Sequence, residues 1–417
     1  MNLQVRDKYS YRQKVFFWNL AGAAATASSS VLLLMAVKRF AGMKAGADYA
    51  MAAAIGNTLM NVGHLNGFGC QTSDVAEKYS FQVYLRLRKF TILMMVLICV
   101  LYVRMQGYGL EKGAVVVLYC IYKAVYVLAD VYQGRYQQKG RADLAGKLQF
   151  IKTFFPDTIL GLFIWRLAGV GMAFLIAIPA ECMCIYFFNR VYFRDFSDAN
   201  NRTYGQCASL FMQCLPLFFS AFTTTYILNS SKYAIDKLLD AGMQVYYSVL
   251  LLPATTVHMI AGIIYRPMIT EYAWIWEKGD VKRFRRCIRK IFGIIAGTLL
   301  LAEFLSGLVI LPVLEMLYGI SDLHDYQADF FMILLAGGLN ALNTFLGYLI
   351  TIMKQLRHMY WIYGLAFAMA LFLPDLLVGY LGFAGAAGSF LLLVLLQTIF
   401  MYGVYRRGLK RAARSHA

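Results

Sequence analysis

The chain has 417 residues, 60% of them hydrophobic and 15% charged, with a mean hydropathy of +0.57. So much apolar surface excludes a water-soluble globule and requires lipid as the solvent. The net charge of +18 would point to nucleic acid in a soluble protein; here the Lys and Arg gather in alternate segments between apolar runs and at both ends, which is an orientation signal, so no nucleic-acid partner is expected.

Only helices or closed barrels satisfy their backbone in hydrocarbon, and these runs are continuous and about 20 residues long rather than alternating over about ten. The expected fold class is an all-α polytopic membrane protein with about twelve transmembrane helices. The polar stretch at 190–206 has about six such runs on either side. It divides the chain into an N-terminal lobe (1–190), a cytosolic linker (191–206) and a C-terminal lobe (207–417) that ends in a basic cytosolic tail.

Arg6, Lys8, Arg12 and Lys14 precede span one (15–37) and predict a cytosolic N-terminus. That run is too long for a signal peptide and lacks a cleavage site, so it stays as a span. Its small residues, AGAAATASSS, either let a neighbouring helix come close or leave room for a cavity. Span two (46–68) carries Asn57, Asn61 and His64 at i, i+4 and i+7, a stripe that must face protein or water. The basic stretch 69–89 predicts a short amphipathic helix in a cytosolic loop. Span three (90–108) has few features.

Span four (112–134) holds Lys123 and Asp130, and span five (147–167) holds Lys152 and Asp157. An antiparallel turn between them sets Asp130 level with Lys152, and Lys123 level with Asp157. Residues five apart diverge by roughly 140°, so Lys152 and Asp157 are not both expected to face span four, and at least one charge is expected to stay unpaired. Span six (170–189) contains Glu181.

In span seven (207–228) Pro216 predicts a kink, and Gln213, Ser220 and Thr224 form a polar face. Beyond it Lys232 and Asp236 stand at i and i+4. Span eight (243–265) bears Gln244, Ser248, Thr255 and His258, then reaches Arg266. The loop 267–290 is the most basic and ends in RFRRCIRK. Spans nine to twelve fall at 291–318, 330–353, 360–380 and 383–405, with Glu303 and Asp375 as their notable acids. Both lobes start on the inner side with an even number of spans, so any repeat would be parallel.

The eight cysteines are scattered, and several lie in apolar runs as small core residues, so neither a disulfide nor a metal site is implied. No G-x-x-x-x-G-K phosphate loop and no catalytic constellation appears, so the chain reads as a non-enzyme. Spans one, two, seven and eight carry the polar stripes, at matched positions in the two lobes, and predict a cleft between them. The candidate substrate-binding residues are Lys123, Lys152, Lys232, Arg266, Asn57, Asn61, His64, Thr224, Ser248 and His258. The cations among them would suit an anionic head group. Asp130, Asp157, Glu181, Asp236 and Glu303 are candidates for ion coupling or for pairing with those cations. The plain alternative for each is an ion pair, snorkelling or a hydrogen bond between helices.

The segment GFGCQTSDVAEKYSFQVYLRLR (67–88), with NSSKYAID (229–236) and YRPMITEYAWIWEKGD (265–280), resembles the bacterial polysaccharide exporters. These are O-antigen-type flippases of the multidrug and oligosaccharidyl-lipid exporter superfamily. The chain departs from the family's usual aromatic or arginine before Q-x-S-D, having Gly69-Cys70, and span one lacks the central arginine of the lipid II flippase branch. The resemblance implies two six-helix bundles set as a V around a central cavity lined by helices one, two, seven and eight. It also implies a flippase that moves an undecaprenyl-pyrophosphate-linked oligosaccharide from inner to outer leaflet by alternating access, in a bacterial cytoplasmic membrane. Membrane lipids, a polysaccharide polymerase and glycosyltransferases are the other expected partners. No cofactor is expected; a proton or sodium gradient or the membrane potential is left open as driving force. The alternatives are a cation-coupled multidrug exporter of the same superfamily and a membrane-embedded glycosyltransferase or ligase.

Overall fold

The computed structural model describes residues 2–74, 77–167, 169–196, 206–265 and 268–415, and within them the regular elements are all helical. Helix α1 (Asn2–His64) carries the first two predicted spans, broken at Gly42, whose φ of 91° lies where a side chain would be strained. There follow α2 (Gly67–Ser73), α3 (Phe81–Met105), α4 (Leu110–Gln138), α5 (Ala142–Leu167) and α6 (Val170–Tyr192). The second half comprises α7 (Gln206–Leu238), α8 (Ala241–Tyr265), α9 (Ile269–Glu277) and α10 (Val281–Leu305). A π turn at Ser306–Ile310 joins α10 to α11 (Leu311–Tyr318), and α12 (Gln327–Ile352) and α13 (Leu356–Ser415) complete the chain. The last two predicted spans are the two parts of α13, which breaks at Gly382 (φ 58°). Each predicted span thus has its helix. Seven described helices are long and apolar enough to cross a membrane, eight with the bent α7, and the chain is a multi-pass membrane protein.

Two local expectations compare differently with the structure. Helix α7 does bend, by 48° between Leu215 and Leu217, where the sequence has proline. The amphipathic helix expected at 69–89 does not form as one piece: Asp74 accepts from the backbone N–H groups of Lys78 (2.8 Å) and Tyr79 (3.0 Å), closing a turn, and α3 starts at Phe81. The carboxylate offers the backbone an alternative to helix at that point.

The helices form two compact units, Met1–Phe222 and Thr223–Ala417, so the division falls inside α7 and not in the linker. The first turns of α7 belong to the first unit because Leu210 and Cys214 are fully buried there with Leu65, Tyr79 and Tyr84, and Ser209 is 3.0 Å from the Tyr79 hydroxyl. Arg135, at the end of α4, ties that region down. Its guanidinium donates to the Phe196 carbonyl (3.0 Å), Glu77 (3.1 Å) and Gln138 (3.0 Å). Glu77 lies in the loop before α3; its hydrogen bond from Lys139, and then Arg135, hold its carboxyl below the ordinary value against the opposing effect of burial.

Within the first unit α1 lies along α5. A Cβ built on Gly146 would stand 2.7 Å from the backbone N of Asn19, so the two backbones touch where only glycine fits. Replacing Gly146 by Val is expected to force them apart and cost about 1–3 kcal/mol. A fall in the thermal midpoint of the detergent-solubilised protein would register this; an unchanged midpoint would mean that the crossing is not tight. Further along, Ala25, Ser28 and Ser29 face Phe154 and Trp165 across a cavity of about 500 Å³. The small-residue run therefore serves both of the ends its composition allowed.

The second unit is built round α12, which packs against α8, α10 and α13. Gly337 meets the backbone of Ala254, the Asn343 amide donates to the Val394 carbonyl (3.1 Å), and the Phe345 ring lies 5.1 Å from Tyr265 and 5.9 Å from Phe292. From α7, Ser231 donates to the Ala386 carbonyl of α13 at 2.9 Å.

Candidate functional site

On α4, Tyr122, Tyr126 and Asp130 follow one another at a spacing of four, so a single helix face presents two phenols and a carboxylate. Helix α5 answers with Gln149, Lys152 and Asp157. Lys152, fully buried, donates to Asp130 Oδ1 (2.8 Å), Gln133 Oε1 (2.8 Å) and the Tyr126 carbonyl (3.2 Å). Its ammonium also lies 3.6 Å from the Tyr126 ring centre. Three acceptors use all three ammonium hydrogens, leaving none for a ligand.

The other carboxylate oxygen of Asp130 lies 2.7 Å from His64 Nδ1. An ionised carboxylate only accepts, so Nδ1 carries the proton. Beside this group Arg88, 4% exposed, donates to the Gly63 carbonyl at 2.6 Å. Gln149 donates to Thr26 Oγ1 (2.8 Å) and to the Tyr126 hydroxyl. Together Asn19, His64, Tyr126, Asp130, Gln133 and Gln149 line a cavity of about 330 Å³.

Asp157 accepts from the Tyr122 hydroxyl at 2.6 Å. Both charged residues of α5 thus reach α4, contrary to the expectation from their angular separation: the lysine stem is long, and a tyrosine extends from α4 to meet the aspartate. For the same reason Lys123 has no hydrogen bond to Asp157. It is half-buried, 5.2–5.4 Å from the ring centres of Tyr119, Tyr122 and Tyr126. Asp157 and Glu181 act on it through space. Glu181 itself, on α6, is fully buried, and neither carboxylate oxygen has a hydrogen-bond partner among the described residues.

Asn57 accepts from the Tyr119 hydroxyl at 3.4 Å, while the Asn61 amide donates to the Asn57 carbonyl of its own helix at 3.1 Å. Of the three stripe residues, Asn61 alone is thus seen bonded within its own helix, while Asn57 and His64 meet α4. In the second unit Thr224 hydrogen-bonds the Tyr363 hydroxyl. Ser248 is 2% exposed, inside the bundle, and its hydroxyl lacks a partner among the described residues. His258 is half-buried. Lys232 is half-buried and has no hydrogen bond or ion pair among the described residues, so it does not pair with Asp236 as their spacing allowed; the neighbouring Lys237 instead pairs with Asp375 at 2.8 Å. Glu303 sits just before the π turn with Oε2 unpartnered among the described residues. Arg266 and most of the linker lie outside the described residues. No group of three or more His, Cys, Asp or Glu among the described residues could hold a metal ion.

The structure thus joins His64, Asp130 and Lys152 and adds Tyr126, Gln133, Gln149 and Arg88, which the sequence reading passed over. Their signal was present: Gln133 follows Asp130 by three, and Gln149 precedes Lys152 by three, on the faces that meet.

Neither a family model nor a curated protein sequence matches this chain. Solved structures do. The eukaryotic MATE transporter AtDTX14 superposes with a TM-score of 0.68 at 10% identity, over 98% of this chain and 99% of the other. VcmN, a MATE transporter of Vibrio cholerae, in the bent form, gives 0.58 at 12%, over 97% and 98%. A MOP superfamily transporter from Pyrococcus furiosus gives 0.59 at 13%, over 97% and 95%, and is described as having a binding pocket of reverse polarity. The chain has the fold of the MATE transporters of the MOP superfamily.

Proposed function

We propose that this chain is a transporter that moves a polyprenyl-pyrophosphate-linked oligosaccharide from the inner to the outer leaflet of a bacterial cytoplasmic membrane, by alternating access. The observation that supports this most is the pair of cations, Lys123 and Lys232, one in each unit, that no carboxylate binds among the described residues. A cation at bilayer depth, as Lys123 is on span four, costs about 2.5–3.5 kcal/mol even on insertion scales, so an anionic head group is its natural partner. The tyrosines round Lys123 suit the second half of the substrate, since aromatic faces take the apolar faces of sugar rings while their hydroxyls meet sugar hydroxyls. Lys152, saturated within the protein, holds the site in shape and does not meet the phosphate. Glycosyltransferases that build the glycan and a polymerase that consumes it are the expected co-workers.

A second reading, a cation-coupled multidrug exporter, draws on Asp157 and Glu181, two acids close to the single Lys123. The two readings separate in cells and in vesicles. Depletion of the protein is expected to leave the lipid-linked glycan on the inner leaflet, and Lys123→Gln and Lys232→Gln are each expected to fail to restore flipping while folding at the wild-type midpoint. Wild-type flipping by both variants would overturn the assignment. Export of a cationic dye from proteoliposomes, without glycan movement, would establish the second reading.

A further inference from the structure

We propose that the cavity between the first turns of α10 and the last turns of α13 binds the phosphate diester head group of an anionic phospholipid. The cavity measures about 450 Å³, and its rim carries Arg285, Arg289, Arg406 and Lys410. Two helix faces converge there: Arg285, Arg289 and Phe292 at i, i+4 and i+7 on α10, and Arg406, Leu409 and Lys410 on α13. No acid lines the wall, and among the described residues none of these four cations pairs with a carboxylate; the nearby Glu271 is met by Arg283 instead, at 3.6 Å.

Like charges gathered round one concavity repel, and a phosphate between them turns repulsion into charge-assisted hydrogen bonding, for which the arginine fork is shaped. The floor is of another kind. Tyr405 is 4% exposed, with Phe292 packed on it at 6.1 Å and its hydroxyl within electrostatic reach of Arg285 and Arg289. A charged rim over an apolar, aromatic floor fits a molecule that is anionic at one end and greasy at the other. About three turns beyond Arg289 and on the same side of α10, Leu300 is exposed and continues that side as a lane along which an acyl chain can lie. A soluble phosphate would leave both the floor and the lane unused, and basic pockets between membrane helices are where anionic head groups bind. The inference stands apart from the transported substrate, and its failure would leave that reading untouched.

The full chain, purified in detergent, can be titrated with dioleoylphosphatidylglycerol, dioleoylphosphatidylcholine, inorganic phosphate and inorganic pyrophosphate while the thermal midpoint is followed and bound lipid is counted by native mass spectrometry. Phosphatidylglycerol is expected to raise the midpoint and remain bound, and phosphatidylcholine to do neither. Arg289→Gln/Arg406→Gln should lose both responses, as should Arg285→Gln/Lys410→Gln; two separate pairs guard against one that misfolds. Arg286→Gln/Lys290→Gln removes equal charge from α10, roughly 100° round the helix, and should respond like the wild type. Undiminished binding in both cavity variants would overturn the proposal, as would equal loss in the control pair, which would make the effect one of diffuse charge. An equal shift with phosphate or pyrophosphate alone would assign the cavity to a soluble anion and overturn the lipid.

Discussion

Asp130→Ala is expected to lower the unfolding free energy by about 3–5 kcal/mol, the usual cost of leaving a buried charge without its partner. Lys152 is fully enclosed and donates one of its three hydrogen bonds to Asp130, at 2.8 Å; the remaining acceptors, Gln133 and the Tyr126 carbonyl, are neutral. Removing the stranded charge as well should repair most of the damage. Asp130→Ala/Lys152→Met is accordingly expected to fall much nearer the wild type, because a buried ion pair replaced by apolar groups often costs little. His64→Ala should be milder, about 2 kcal/mol, since it removes one hydrogen bond to a charged group and strands no charge. Denaturant or thermal unfolding of the three variants in one detergent gives the comparison. If the single and double variants fall equally, the loss comes from packing on α4 and not from the charge on Lys152.

Glu181→Gln is expected to leave stability unchanged or raise it, and to stop transport driven by a proton gradient. Both effects follow from one geometry. The carboxyl is fully buried and neither oxygen meets a hydrogen-bond donor among the described residues, so a charge there has only the through-space pull of nearby cations to set against its lost hydration. Gln keeps the shape and removes the charge. Acids kept in such surroundings within spans belong to proton relays, and Glu181 acts through space on Lys123, the cation assigned above to the head group. A proton gained or lost at Glu181 would alter the field at Lys123, linking the gradient to substrate binding. Proteoliposomes with an imposed pH gradient test this: transport by the Gln variant at the wild-type rate would remove Glu181 from coupling, whatever its effect on the midpoint.

How far the sequence could be read depends on which physical constraint is at work. The span boundaries were legible because hydrocarbon leaves the backbone no partner but itself, so each long apolar run becomes a helix with little influence from its neighbours. Gly42 and Gly382 carry that reading to the turns between paired spans, where the chain reverses at a positive φ. Asp130 with Lys152 was legible too, from depth alone. Depth, however, is one coordinate of three. Lys123 and Asp157 also share a level, yet the Tyr122 hydroxyl intervenes and the pair does not form. Lys232 and Asp236 have ideal spacing on one helix, and Lys232 nevertheless stands without a partner among the described residues.

What the linear chain determined by itself is therefore the medium, the helices and their order, since hydropathy and backbone hydrogen bonding act locally. Which cations are spent and which remain for a ligand was decided only in three dimensions. Pairing depends on how each helix is rotated about its axis and on which long side chain arrives from its neighbour, and both are set by close packing between residues far apart in sequence, as where Gly146 meets Asn19. By that route Lys152 became a fixed part of the scaffold, and Lys123 was left under its three tyrosines.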